Sequence, residues 1–195
     1  MPSTARRRFE GKVVEIEFLL EIHEDVVREG GSREFSKLQV LHKSGIVLLT
    51  AAWEMYVESI LMESIAFLSA IGISGNSSAI QYRFLQRLAV SGVETLLGQF
   101  HTPSSANTRK HFRDVLGIDD ITRAWGREGL TPKAAKIELD GWLNDRHAIA
   151  HGAASDAEFL KEDVERFLQF LTITVANTDD ETKRHLVFLT GTDPW

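Results

Sequence analysis

Arg146, His147, His151 and Gly152 fall within one run of seven residues, Arg146-His147-Ala148-Ile149-Ala150-His151-Gly152. No other part of the sequence gathers so many reactive side chains so closely. An arginine is always charged and presents a fork of donors that fits phosphate oxygens. A histidine titrates near neutral pH and can accept or donate a proton. These types suffice to cleave RNA without a metal, because RNA carries its own nucleophile. One imidazole deprotonates the ribose 2′-OH, which attacks the adjacent phosphorus. The guanidinium stabilises the extra charge of the transition state, and a protonated imidazole gives its proton to the leaving 5′-oxygen.

Spacing constrains this chemistry. Arg146 and His151 are five residues apart, about 140° around an ideal helix. They share a face only if the last turn unwinds or the arginine reaches round. His147 and His151 are four apart and do share a face. A symmetric dimer that brings two copies of the run together offers one solution, since its cleft would hold two arginines and up to four histidines. Two other readings stay open. Basic residues favour helix C-termini and Gly the position after, so a helix ending in this way needs no function. His-x-x-x-His on a helix can also supply two zinc ligands, although the HExxH glutamate is absent.

The elements that must position this run read as helices. The only prolines are at 2, 103, 132 and 194, so long stretches lack a breaker. The apolar spacing predicts a helix over 9–28, ended by Gly30-Gly31-Ser32, and the longest one over 35–71 with a candidate bend at Gly45. Glu54 and Glu58 share a face of that long helix. A third helix is expected over 78–99, after the loop 72–77. Phe100 to Asn107 reads as a connection. A short helix over 108–116 follows, capped by Gly117, then a short turn or helix over 118–125. Thr131 as N-cap and Pro132 as first helical residue start the helix that carries the run. The last helical region, 155–189, has Asn177-Thr178-Asp179-Asp180 as a candidate break. The expectation is one all-α domain over 1–195 with a basic N-terminal arm, 1–8.

Composition narrows the function classes. The 195 residues can bury a sizeable core, and 43% hydrophobic with 26% charged residues is ordinary for a globular protein. No cysteine is present, which excludes disulfides, thiolate nucleophiles and cysteine-based zinc sites and fits a reducing cytoplasm. The polar, basic N-terminus gives no expectation of a secretory signal. No apolar run is expected to reach the roughly 18 residues that span a bilayer, so no membrane partner is expected. A net charge of −6 argues against coating nucleic acid with the whole surface but leaves room for a local site. Basic residues cluster in Arg6-Arg7-Arg8 and Arg109-Lys110-His111-Phe112-Arg113. Each cluster reads as a solvated face, with Arg109, Lys110 and Arg113 the best candidates for phosphate contacts. Trp53, Tyr56, Trp125 and Trp142 read as core or interface, with base stacking as the alternative. His101 and His111 read as loop residues that can line an approach to RNA.

Arg146-[polar]-x-x-x-His151 near the end of an inner helix resembles the Rx4–6H signature of HEPN domains, with His147 in the polar position. Leu48-Leu49-Thr50-Ala51-Ala52-Trp53-Glu54-Met55-Tyr56-Val57-Glu58 is similar to the AxWExYxE helix of the RiboL-PSP branch. The stretch from Phe100-His101-Thr102-Pro103-Ser104 through Leu116-Gly117-Ile118 to Trp125 looks like that branch's middle segment. The three lie in the right order and span roughly residues 40–175. The resemblance implies an all-α HEPN-like helical bundle with a long central helix, forming a homodimer with facing Arg/His motifs. It implies a metal-independent RNA endonuclease without cofactor, often in toxin–antitoxin, phage-defence or RNA-processing settings, with a cognate antitoxin protein as a partner. Carried over, Arg146 and His151 are catalytic, His147 is the supporting polar residue, and Glu54 is the acid that orients Arg146 or a histidine. Some HEPN domains have lost the motif and only bind, which leaves a non-catalytic interaction module as the alternative.

Overall fold

A computed structural model describes residues 1–31, 33–71, 92, 103–152 and 158–195. The helix expected over 78–99, its preceding loop and His101 lie outside the described residues, apart from Gly92. Five α-helices and one 3-10 turn make up the rest: α1 (Thr4–Glu29), α2 (Glu34–Ile71), α3 (Ser105–Leu116), the turn Ile121–Trp125, α4 (Pro132–Ala150) and α5 (Lys161–Thr190). The fold is all-α. The one β-bridge among the described residues closes the tight turn between Arg127 and Leu130.

The central element is α2, and α1, α3, α4 and α5 all contact it. Its inner stripe, Ile46, Leu49, Trp53, Tyr56, Val57, Ile60 and Leu61, is fully buried and repeats every three to four residues. Trp53 donates its Nε1–H to the Pro103 carbonyl at 2.9 Å, and the Tyr56 hydroxyl donates to the Val175 carbonyl at 3.2 Å. Trp125 meets Trp53 edge-on and donates to Thr178 Oγ1 at 2.9 Å. Trp53, Tyr56, Trp125 and Trp142 are all core residues, so none presents a face to a base. By length and composition α2 is apolar enough to cross a bilayer, contrary to the expectation that no segment reaches that mark. Its most apolar window is 56% buried among the other helices, as befits a core helix.

Several expectations change for stated reasons. The basic N-terminal residues form no arm, because α1 begins at Thr4. Ser3 caps it by accepting from Arg6 N, Glu63 accepts from the Thr4 and Ala5 amides at 2.9 Å each, and Ser3 Oγ donates to Asp179. The first amides of α1 thus find acceptors on its own cap and on α2. Gly45 does not interrupt α2, which is one continuous helix. It is a packing notch: a Cβ there would stand 2.8 Å from Val164 Cγ1 of α5. Asn177-Thr178-Asp179-Asp180 does not break α5 either. Thr178 and Thr182 each donate to the carbonyl four residues back at 2.7 Å, and buried Asp179 is held by Ser3. Of the polar side chains that suggested a turn, Thr178 is satisfied by its own helix and Asp179 by Ser3. Finally, α3 starts at Ser105, earlier than its apolar pattern suggests, because Ser104 Oγ accepts from Asn107 N and Asp140 takes the Ser105 amide.

Candidate active site

The run Arg146 to Gly152 is the end of α4, so the way α4 is held decides where its side chains point. Thr131 Oγ1 accepts from Ala134 N, and Pro132 occupies the first turn. Ala135, Leu139, Trp142 and Leu143 form the buried stripe. Trp142 stacks on Phe167 of α5 with centroids 4.9 Å apart, and the Arg166 guanidinium lies 4.8 Å from the Trp142 centroid. Asp140 accepts from the Ser105 amide at 2.8 Å and its hydroxyl at 2.6 Å, tying α4 to α3. These contacts fix the rotation of α4 about its own axis.

Arg146 continues the inner stripe four residues beyond Trp142 and is half-buried. Among the described residues no hydrogen bond or ion pair engages its guanidinium. His147 and His151 are exposed, and their rings lie side by side with centroids 4.2 Å apart and planes inclined by 48°. His151 is the C-cap, at φ −98° and ψ 6°, and its amide still bonds the His147 carbonyl at 3.1 Å. The chain leaves the helical path at Gly152, whose φ of +68° suits a residue without Cβ. The last turn therefore stays wound through His151. The structure brings the two imidazoles together and leaves Arg146 on an adjoining face.

Glu54 is half-buried on α2. No ion pair joins it to Arg146 among the described residues. From α4, Ile149 lines a groove of about 440 Å³ with Val40, Lys43, Ser44, Val47 and Leu48 of α2. Glu54 lies seven residues past Val47, about 10 Å along α2. Its closest charged neighbour on the same face is Glu58, whose carboxyl is pushed up by burial and then by the Glu54 charge.

Arg109, Lys110 and Arg113 are exposed on α3. Lys110 pairs with Asp114 at 3.0 Å and Arg113 with the same carboxylate at 3.2 Å. His111 is turned back to the Asn107 carbonyl at 2.7 Å. Asp140, where α3 begins, is eleven residues from His151, or about 16 Å along α4.

Residues 12–184 match the family model described as RiboL-PSP-HEPN. The chain belongs to this family. No curated protein and no solved structure matches it. The matched span runs from α1 to α5 and holds Glu54, the basic face of α3 and the whole Arg/His run. As a HEPN domain the chain is all-α, in keeping with its five described helices.

Two groups near the run escaped the sequence reading. Asp145, directly before Arg146, is half-buried. Burial raises its carboxyl above the usual range, the Asp163 charge adds to this, and Arg166 opposes it. The other is a relay at the N-terminal half of α2. His42 donates from Nδ1 to the Phe159 carbonyl at 2.6 Å, and its Nε2 meets His23 Nδ1 at 2.9 Å. Gln39 bonds both the amide and the carbonyl of Phe159. This relay ties Phe159, just ahead of α5, to α2 and through His23 to α1. Helical periodicity could not reveal it, because His42 and Phe159 are 117 residues apart.

Proposed function

We propose that this HEPN protein is a metal-independent RNA endonuclease, working as a toxin or phage-defence ribonuclease in the cytoplasm. One observation carries the reading: the α4 terminus of a RiboL-PSP-HEPN chain offers two adjacent exposed imidazoles and a guanidinium with no ion pair among the described residues. In a protein of net charge −6, such an arginine and two histidines, brought together across a dimer, would be a local site for a phosphate. His151 and Arg146 act on the scissile phosphate, and His147 supports them. The imidazole takes the 2′-OH proton, the oxyanion attacks phosphorus, and the 5′-oxygen leaves with a proton from imidazolium. The products are a 2′,3′-cyclic phosphate and a 5′-OH.

Because α4 stays wound, Arg146 and His151 of one chain diverge. The reading therefore includes a homodimer in which the arginine of one copy and the histidines of the other share a cleft. The groove of Val40, Val47, Leu48 and Ile149 beside the run, with Val40 65% and Leu48 41% exposed, is the apolar face such a dimer would cover. A cognate antitoxin would restrain activity by covering the same end of α4. Arg109, Lys110 and Arg113 hold RNA outside the cleft. The same divergence favours a second reading, a HEPN dimer that binds a nucleotide or partner without cutting.

The test incubates purified protein with total RNA and a structured tRNA in EDTA, alongside Arg146→Ala and His151→Ala. Wild type should cut and leave 2′,3′-cyclic ends. Each variant should lose roughly 10²–10⁴-fold in rate, the usual span for a positioned acid, base or charge stabiliser. Intact folded dimers of wild type that leave all RNA uncut would favour the binding module. Variants that cut at the wild-type rate would remove Arg146 and His151 from the chemistry.

A further inference from the structure

The two imidazoles at the end of α4 have a second capacity, independent of RNA. His147 and His151 are four residues apart, exposed, and held with centroids 4.2 Å apart by a helix that stays wound through both. Among the described residues no hydrogen bond occupies any of their ring nitrogens. A tetrahedral ion bound at about 2.0–2.1 Å holds two nitrogen ligands about 3.3 Å apart. Side chains four residues apart on a helix rise from one face with Cβ atoms about 5–6 Å apart, so both rings can be turned toward one ion about their own side-chain bonds. The negative end of the α4 dipole lies at the same place and favours a cation there. Arg146, the nearest cationic side chain in sequence, projects about 140° away from His151 and does not stand between them.

We infer that His147 and His151 form a two-nitrogen chelate for a borderline transition-metal ion, copper(II), nickel(II) or zinc(II), and that this ion switches the nuclease off. Imidazole suits these ions, whereas magnesium and calcium prefer oxygen. Water completes the coordination shell. Metal bound to the ring nitrogens takes the lone pair needed to accept the 2′-OH proton and the position needed to donate one to the 5′-oxygen. The chelate stands on the geometry alone; its inhibitory effect rests on the nuclease reading above.

The test has two arms with separate readouts. In the first, copper(II) is titrated into untagged, metal-free full-length chain and binding is followed by calorimetry and visible absorption. Wild type should take up one tight ion per chain. Loss of a ligand should weaken binding by at least about tenfold in His147→Ala and in His151→Ala, since loss of a mere supporting partner already costs 10–100-fold. His185→Ala, on another helix, should bind as wild type does. Both altered side chains are exposed, so circular dichroism should be unchanged and misfolding is separable from lost binding. Wild-type binding no tighter than that of the double variant His147→Ala/His151→Ala overturns the chelate. In the second arm, RNA cleavage by wild type is followed with added metal. Inhibition should rise from manganese through cobalt and nickel to copper, fall back at zinc, and be reversed by EDTA. Magnesium should leave the rate unchanged. Cleavage that persists with copper bound overturns the switch, whereas copper binding in a chain that never cuts RNA overturns the nuclease and leaves the chelate standing.

Discussion

Gly45 offers the sharpest check on how α5 is seated against the central helix. In Gly45→Ala the new methyl would stand 2.8 Å from Val164 Cγ1, 3.2 Å from Cγ2 and 3.6 Å from Cβ. Val164 is 1% exposed, so it has no free space to move into. Overpacking of this kind costs about 1–3 kcal/mol. Alanine in place of glycine inside a helix returns about 1 kcal/mol. The net effect should be a loss of about 0–2 kcal/mol, or a fall in Tm of up to about 8 °C for a chain of this size. Val164→Ala alone removes two buried methyl groups and should cost about 2 kcal/mol. In the double variant the alanine methyl at 45 enters the space left by the valine methyls. The clash then vanishes while the helix gain remains, and the pair should lose only about 1 kcal/mol. The coupling measured by urea denaturation of all four proteins should therefore be at least about 1 kcal/mol in the stabilising direction. Additivity within about 0.5 kcal/mol would refute the notch and place the α2–α5 contact elsewhere.

Three further outcomes are expected. Burial holds the His42 imidazole below its usual range, although its bond to Phe159 works the other way. The unfolded chain therefore binds the proton more readily, and stability should fall as pH drops from about 6.5 towards the lowered folded value. His42→Gln should flatten that slope in urea midpoints taken across this window; an unchanged slope would remove His42 as its source. Asp140→Ala removes the acceptor of two bonds at the start of α3 and should cost about 1–3 kcal/mol by denaturation. A loss below about 0.5 kcal/mol would show that α3 is held by its apolar face alone. Arg109→Glu with Arg113→Glu should weaken RNA binding and lower the slope of log affinity against log salt, by roughly one for each phosphate no longer neutralised. An unchanged slope would free this face of any part in binding RNA.

The sequence by itself determined the helices that carry the site. Thr131 and Pro132 fix where α4 starts, and Gly152 fixes where it stops, because caps are local chemistry between residues a few positions apart. The three-to-four repeat from Ile46 to Leu61 likewise fixes α2 as the buried centre. The pairing of His147 with His151 follows from helical spacing alone. Tertiary structure decided what that local pattern could not. Asn177 to Asp180 looks like a turn until Ser3 is seen to hold Asp179, and Trp125 and the helix's own carbonyl to engage Thr178. That Val164 occupies the space where a side chain at Gly45 would go is likewise visible only once α5 has packed on α2. Glu54 and Arg146 stand on different helices far apart in the chain, so only the way α4 lies on α2 decides whether they meet, and among the described residues no ion pair joins them. The relay of His23, His42 and Phe159 appears in no sequence window, because it joins three distant stretches of chain. Capping and periodicity act over one or two turns and are legible in order. Burial and hydrogen-bond satisfaction are properties of neighbours in space, and those exist only once the helices have packed.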